Sequence, residues 1–311
     1  MKFNLPTPAR LVILLLLLNG IANAQGIQEI NTDLFRYERT SPLEWKTTQL
    51  QDTANCSVTE ASFKVVEGHV ADVLIISKND NTLTRRPVVI FQHWGGGDKL
   101  FFKREAVAFA ERGFVCVSVN APWHWKTLAD TASFFYSYPK FIRLSIIAIR
   151  RLIDTMGRNA SIDRRNIYFI GHSYGATLGG LLAGIEQRIK GGILMAGLPN
   201  ISRTIIEGKN DIWKKDWEHD TLRFMEVAHQ LSEMEPENSI PKSRWKIYHQ
   251  VADKDEYVKP EQSTRFMSKT PQPYTSSYYH AGHLFNDEAM EDRIKWILQL
   301  YQPKAFLSGT P

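Results

Sequence analysis

Cysteine is nearly missing from this sequence: Cys56 and Cys116 are the only two in 311 residues. At most one disulfide can form, so a disulfide-scaffolded fold is excluded, as is a zinc site built from four thiolates. No H-E-x-x-H stretch occurs, and the two histidines of "HAGH" fall on a turn-like segment. Nothing therefore calls for a metal or any other cofactor. Internal repeats and low-complexity tracts are absent, which removes the solenoid and disordered classes. Lys and Arg outnumber Asp and Glu by 38 to 33, but the basic residues fall in scattered doublets such as Arg85-Arg86 and Lys214-Lys215. Without a basic stripe interleaved with aromatics, a nucleic-acid partner is not expected. No apolar run reaches the roughly 20 residues needed to span a bilayer.

The longest apolar run, Leu11–Leu18, follows Lys2 and Arg10 and precedes Ala22-Asn23-Ala24. A basic segment, a short apolar core and an A-x-A site in that order predict a signal peptide over 1–24, cut after Ala24. The mature chain, 25–311, is expected to be secreted or periplasmic, with no stable membrane insertion. Export permits a Cys56–Cys116 disulfide. Cys116, however, lies inside "GFVCVSV", where a small buried thiol is the simpler reading.

With 43% hydrophobic and 23% charged residues, the remainder suits one large globular domain. Residues 25–60 read as a polar, irregular arm. "FKVVEGHVADVLIISK" alternates about Gly68 and predicts two short strands. The runs "RPVVIFQ" and "FVCVSV" lack polar alternation, as strands covered on both faces do. A helical pattern ending at Gly113 separates them. Helix and strand then alternate through "FIRLSIIAIRRLIDTMG", "NIYFI", "ATLGGLLAGIEQRI", "GGILMAG", "RWKIYHQV", a run from Pro260, "YTSSYYH" and a final amphipathic helix. Such alternation predicts an α/β fold, a mostly parallel twisted sheet with helices on both faces. The polar segment 199–243 interrupts the pattern. It reads either as a lid or cap insertion or as an extension of the helical layer.

Within "FIGHSYGATLGG" an apolar strand stops at Gly171, and a helix of small residues follows Ser173. A serine on a strand–turn–helix elbow needs flanking glycines, because the turn is strained and the helix packs close. A serine nucleophile also needs a base, a group to orient that base, and donors for an oxyanion. In this architecture the partners follow in the order acid, then histidine, each after a later strand. The loop "ADKDEYV" offers Asp253 and Asp255, and "YHAGHLF" offers His280 and His283.

These stretches resemble the α/β-hydrolases, and within them the dienelactone hydrolase-like and acetyl xylan esterase-like branch that adjoins the prolyl oligopeptidase-type hydrolases. The resemblance covers about residues 86 to 300. "SIDRRNIYFIGHSYGA" looks like the family's approach to its nucleophile, which implies that role for Ser173. "VADKDEYV" is similar to a G-x-x-D-x-x-V stretch and picks Asp255 as the acid. "YHAGHLF" is similar to a G-H-x-F stretch and picks His283 as the base. "FQHWGGGD" resembles an H-G-G-G oxyanion loop, which implies backbone donors at Gly95 and at Tyr174. Trp94 stands where the family has glycine, so the Trp94 amide is the alternative to Gly95. Ala252 replaces a glycine before the acid. Serine stands where dienelactone hydrolases proper carry cysteine, which turns the expectation toward an ester hydrolase acting on a small-molecule ester.

Other residues near these motifs carry weaker expectations. His93 reads as a brace for its loop and His172 as packing beside the elbow. Trp94, Trp123 and Trp125 lie on two loops at the same sheet edge and are candidates to narrow an acyl pocket to short chains. His124, in "APWHW", is a candidate substrate contact. Two rival functions share the fold: an exported serine peptidase or amidase, and a non-catalytic binding protein.

Overall fold

The computed structural model describes residues 29–301, except 51, 54, 81–84, 129–132 and 209–212. The expected signal peptide therefore lies outside the described residues. Among the described residues no helix is long and apolar enough to cross a membrane.

Nine strands form one sheet: β1 (Lys46–Gln49), β2 (Cys56–Lys64), β3 (Val70–Lys78), β4 (Arg86–Gln92), β5 (Val115–Val119), β6 (Ile162–His172), β7 (Gly191–Met195), β8 (Lys246–Ala252) and β9 (Thr275–Tyr279). Their order is β1-β2-β3-β5-β4-β6-β7-β8-β9. The first three strands and β5 pair antiparallel; β5, β4 and β6 to β9 pair parallel. The longer helices are α1 (Lys103–Glu111), α2 (Phe134–Met156), α3 (Tyr174–Ile185), α4 (Ile201–Glu207), α5 (Lys214–His219), α6 (Thr221–Ser232), α7 (Pro236–Ser239), α8 (Pro260–Lys269) and α9 (Asp287–Leu300).

Successive side chains of a strand point to opposite faces, and both faces are used here. Val88 and Ile90 of β4 join a large apolar cluster with α2, α3 and the 199–243 segment. Val89 and Phe91 join a second cluster with α1 and α9. Residues 167–170 of β6 divide in the same way, Ile167 and Phe169 to one side, Tyr168 and Ile170 to the other. Continuous apolar strands were the signal for this, and burial on both faces is the reason. The stripe of the last helix packs as its spacing predicts, with Ile294 and Ile297 buried and Met290, Leu298 and Tyr301 against them.

One expectation is corrected, and the cysteines and the 199–243 segment take their places in the fold. The arm 25–60 is not irregular throughout: a 3-10 turn spans Thr32–Phe35, β1 follows, and β2 starts at Cys56. Strand β1 is exposed at every residue and has no apolar pattern; its pairing with β2 defines it. No disulfide joins the cysteines, which are both free and buried. Strand β3 lies between β2, which carries Cys56, and β5, which carries Cys116. Two strand spacings of about 4.8 Å exceed the Cα separation a disulfide tolerates. The 199–243 segment folds into α4 to α7, and its Ile201, Phe224, Met225 and Leu231 enter the cluster shared with α2. It extends the helical layer and, through α4, walls the site described next.

Candidate active site

Between the end of β6 and the start of α3 a single residue makes the turn. Ser173 has φ 54° and ψ −106°, a conformation that typically costs a non-glycine residue about 1–3 kcal/mol. Its N–H donates to Met195 O at 2.7 Å, and its carbonyl accepts from the Thr177 N–H at 2.9 Å and from Thr177 Oγ1 at 3.0 Å. The backbone is thereby held on both sides. A Cβ on Gly171 would lie 2.3 Å from Gly175 O, and one on Gly175 would lie 2.0 Å from Gln92 O. Both positions admit only glycine, because α3 comes down directly onto β4 and β6.

The loop after β8 brings in Asp255. Oδ1 accepts from the Tyr257 N–H at 2.8 Å and the Val258 N–H at 2.9 Å. Both carboxylate oxygens lie 2.9 Å from His283 Nδ1, with only 3% of the Asp255 side chain and 2% of the His283 side chain exposed. Burial raises the Asp255 carboxyl, but the His283 hydrogen bond and the two amides outweigh it and hold the group below its ordinary value. An ionised Asp255 accepts, so Nδ1 carries a proton and donates it, which leaves Nε2 as the nitrogen that can accept in the neutral ring.

The alternative pair, Asp253 and His280, joins at 2.8 Å on the surface, where both side chains are largely exposed. His172, next to Ser173, ties the imidazole loop to the elbow: its Nε2–H donates to His283 O at 2.7 Å, and the two rings lie 4.8 Å apart. Burial pushes His172 down to about 3, so it is neutral. The hydrogen bonds of His283 run to Asp255, Glu256 and His172, and none joins it to Ser173.

His93 braces the loop after β4. Nε2 accepts from the Ala121 N–H at 3.0 Å, so Nδ1 carries the proton and donates to Trp94 O at 2.6 Å. Gly97 N–H also donates to Trp94 O, at 3.1 Å, and His124 Nε2 donates to Gly97 O at 2.9 Å. A trans peptide places N–H opposite C=O, so the pinned Trp94 carbonyl turns the Gly95 N–H away from His93. Gly95 lines the same cavity as Ser173 and Tyr174.

That cavity has a volume of about 180 Å³ and a mainly apolar wall. Trp123 lines it, packing edge-on against Tyr174 with ring centres 4.8 Å apart. Three of the sequence candidates lie elsewhere. Trp125 is fully buried with Nε1–H donating to Asn120 O at 2.9 Å, and belongs to the core. His124 holds Gly97. Trp94 folds back over Gly96 and Gly97, its ring 6.1 Å from that of His283. Sequence reasoning missed Phe134, Tyr138, Ile201, Ile205, Trp213 and Tyr257, which also line it. Ile201, Ile205 and Trp213 come from the 199–243 segment, so its lid reading was the available signal.

No protein-family model and no curated protein sequence matches the chain. Solved structures do. An acetyl xylan esterase from Paenibacillus sp. R4 superposes with a TM-score of 0.71 at 17% identity, over 84% of this chain and 90% of its own. Acetyl xylan esterase 1 from Thermoanaerobacterium sp. JW/SL YS485 gives a TM-score of 0.72 at 13% identity, covering 87% and 92%. A thermophilic esterase from Thermogutta terrifontis, solved with propionate bound, gives 0.59 at 18%, covering 78% and 94%. At these identities the likeness establishes the fold, and the chain has the α/β-hydrolase fold.

Proposed function

We propose that this chain is a serine hydrolase that cleaves carboxylic esters of short acyl groups. The observation that carries the reading is Ser173, strained on its elbow and open to an apolar cavity, together with an imidazole tied to that elbow through His172 and held at Nδ1 by a buried, ionised Asp255. Resemblance to solved esterases supports an ester as substrate. The small cavity supports a short acyl chain. Export after cleavage at Ala24 belongs to the same reading and rests on the sequence.

In the proposed cycle, His283 Nε2 takes the proton from Ser173 Oγ as Oγ attacks the ester carbonyl carbon. The carbonyl oxygen becomes an oxyanion held by the amides of Tyr174 and Gly95, each such donor commonly worth ~10²–10³ in rate. The imidazolium, stabilised by Asp255, then gives its proton to the departing alcohol oxygen as the C–O bond breaks. Water repeats the sequence on the acyl-enzyme and frees the acid and Ser173.

A fluorophosphonate probe tests the first step directly. The adduct, mapped by mass spectrometry, is expected on Ser173 and is expected to vanish in His283→Ala. Folded protein that takes no label, or takes it equally well without His283, would reject the reading. Among nitrophenyl esters acetyl is expected to turn over faster than octanoyl; the reverse order would reject the short-acyl part alone.

A further inference from the structure

Among the described residues, no acidic or basic side chain lines the cavity beside Ser173. Five hydroxyls other than that of the nucleophile line it, and four are accounted for. Tyr174 Oη shares a hydrogen bond with Ser145 Oγ at 2.9 Å. Thr177 Oγ1 donates to Ser173 O and accepts from the Leu198 N–H, both at 3.0 Å. Thr204 Oγ1 donates to Asn200 O at 2.7 Å and accepts from Gln262 Nε2 at 3.0 Å. Tyr257 is 60% exposed, so water serves its hydroxyl.

The fifth belongs to Tyr138. It reaches the cavity from the start of α2, its ring centre 5.7 Å from that of Phe134 and 6.0 Å from that of Tyr174. Among the described residues its hydroxyl has no hydrogen-bond partner. Burial is the one cause that raises this phenol above its ordinary value; for Tyr174 burial again leads, and the Ser145 bond pulls the other way. Nor is Tyr138 Oη one of the polar atoms sealed inside the protein without a partner. A desolvated donor left unpaired costs free energy, which a ligand returns by supplying an acceptor. With no cation in the wall, an anionic acceptor would be desolvated without a counter-charge, so the acceptor that fits is neutral.

We infer that the Tyr138 hydroxyl faces the acyl cavity and selects acyl groups that carry an uncharged oxygen acceptor. The substrate class is then esters of short alkoxy, oxo or hydroxy acids. This deepens the proposed function and rests on it, since the acyl group is what enters the cavity.

Two pairs of nitrophenyl esters test this on the full chain: butyrate with methoxyacetate, and pentanoate with 3-methoxypropanoate. Within each pair one methylene is exchanged for an ether oxygen at nearly constant size. The readout is the ether-to-alkyl ratio of kcat/KM, compared between variants. Intrinsic ester reactivity and any general loss of turnover then cancel. Tyr138→Phe is expected to lower that ratio about 10-fold in at least one pair, as losing one neutral hydrogen bond of about 1.4 kcal/mol does. Tyr136→Phe is the comparison, because its hydroxyl donates to Asp216 O at 3.1 Å and does not line the cavity. It is expected to leave both ratios where they are. Tyr138→Phe removes a hydroxyl that has no partner, so its urea midpoint is expected to equal or exceed that of the parent.

Ratios that do not move in Tyr138→Phe would overturn the inference, and so would an equal fall in Tyr136→Phe. A lowered urea midpoint in Tyr138→Phe would mean that the hydroxyl is bonded within the protein, with the same consequence. Ser173-dependent turnover alongside any of these results leaves the hydrolase reading standing. Absence of any Ser173-dependent turnover removes that reading and this inference with it.

Discussion

The two walls of the cavity are held by different means. On one side Ser173 is fixed by backbone: Met195 and Thr177 hold its peptide groups, and Gly171 and Gly175 let α3 touch the sheet. On the other side α4 hangs from carboxylates. Glu235, only 2% exposed, accepts from the Ile201 and Ser202 amides, and Glu237 accepts from Asn200 Nδ2 at 2.7 Å and from Arg265. Burial lifts Glu235 to about 7 despite those donated bonds, while Glu237, less deeply buried, is held low by Arg265 and Asn200. The placement of Ser173 therefore rests on contacts that do not titrate, and the wall opposite carries a carboxyl that burial raises to about 7.

Three substitutions test that contrast, beginning with the largest effect. Ser173→Ala is expected to cut kcat by about 10⁶-fold with no loss of thermal stability, since it removes a hydroxyl and eases no packing. Residual activity above a few per cent, measured on the purified variant, would dissociate the elbow from chemistry.

Gly175→Ala comes next. Its Cβ meets Gln92 O at 2.0 Å, backbone against backbone, so α3 must lift from the sheet. A loss of more than ~3 kcal/mol in urea unfolding is expected, the upper range of overpacking penalties. A near-neutral result would mean that the elbow is not held rigidly by this contact.

Glu235→Gln has the smallest expected effect, and its signature is a slope. A carboxyl raised in the folded state contributes stability that is fully present below its unfolded value near 4.5 and is lost as pH rises toward about 7. Asp255 has the opposite sign: its contribution is present above the ordinary carboxylate value and is lost as pH falls. Replacing Glu235 is expected to flatten the decline between pH 4.5 and 7, a change of at most ~3 kcal/mol across that window. At low pH the variant is expected to be less stable by about 1–3 kcal/mol, because the amide group cannot accept from both Ile201 and Ser202. An unchanged slope in denaturant midpoints against pH would rule out Glu235 as the titrating clamp.

How much of this was legible depended on whether the cause was local. The strands β4, β5 and β7 and the end of β6 were readable, since burial on both faces leaves an apolar run. β1 was not, because its four exposed polar residues pair with β2 and nothing in their own pattern says so. Among the indoles, Trp123 and Trp125 are two residues apart and look alike in the chain. A 3-10 turn over Pro122–His124 sends one into the cavity and the other into the core. The 199–243 segment could be read as a lid, but which of its residues form the wall was out of reach: Ile201, Ile205 and Trp213 share the cavity with Ser173 only after the chain has folded back.

By itself the sequence determined the alternation of helix and strand and the glycines that an elbow at Ser173 demands. It also carried the two short stretches holding Asp253, Asp255, His280 and His283. These are local facts, written in periodicity and in steric limits between near neighbours. Only the tertiary structure decided which carboxylate meets which imidazole, burying Asp255 with His283 and leaving Asp253 with His280 in water. It alone kept Cys56 from Cys116, turned the Gly95 amide away from His93, and brought Trp123 and Trp213 to one cavity with Ser173. Each of those depends on distances between groups remote in the chain, which the packing of sheet and helices fixes and no local pattern encodes.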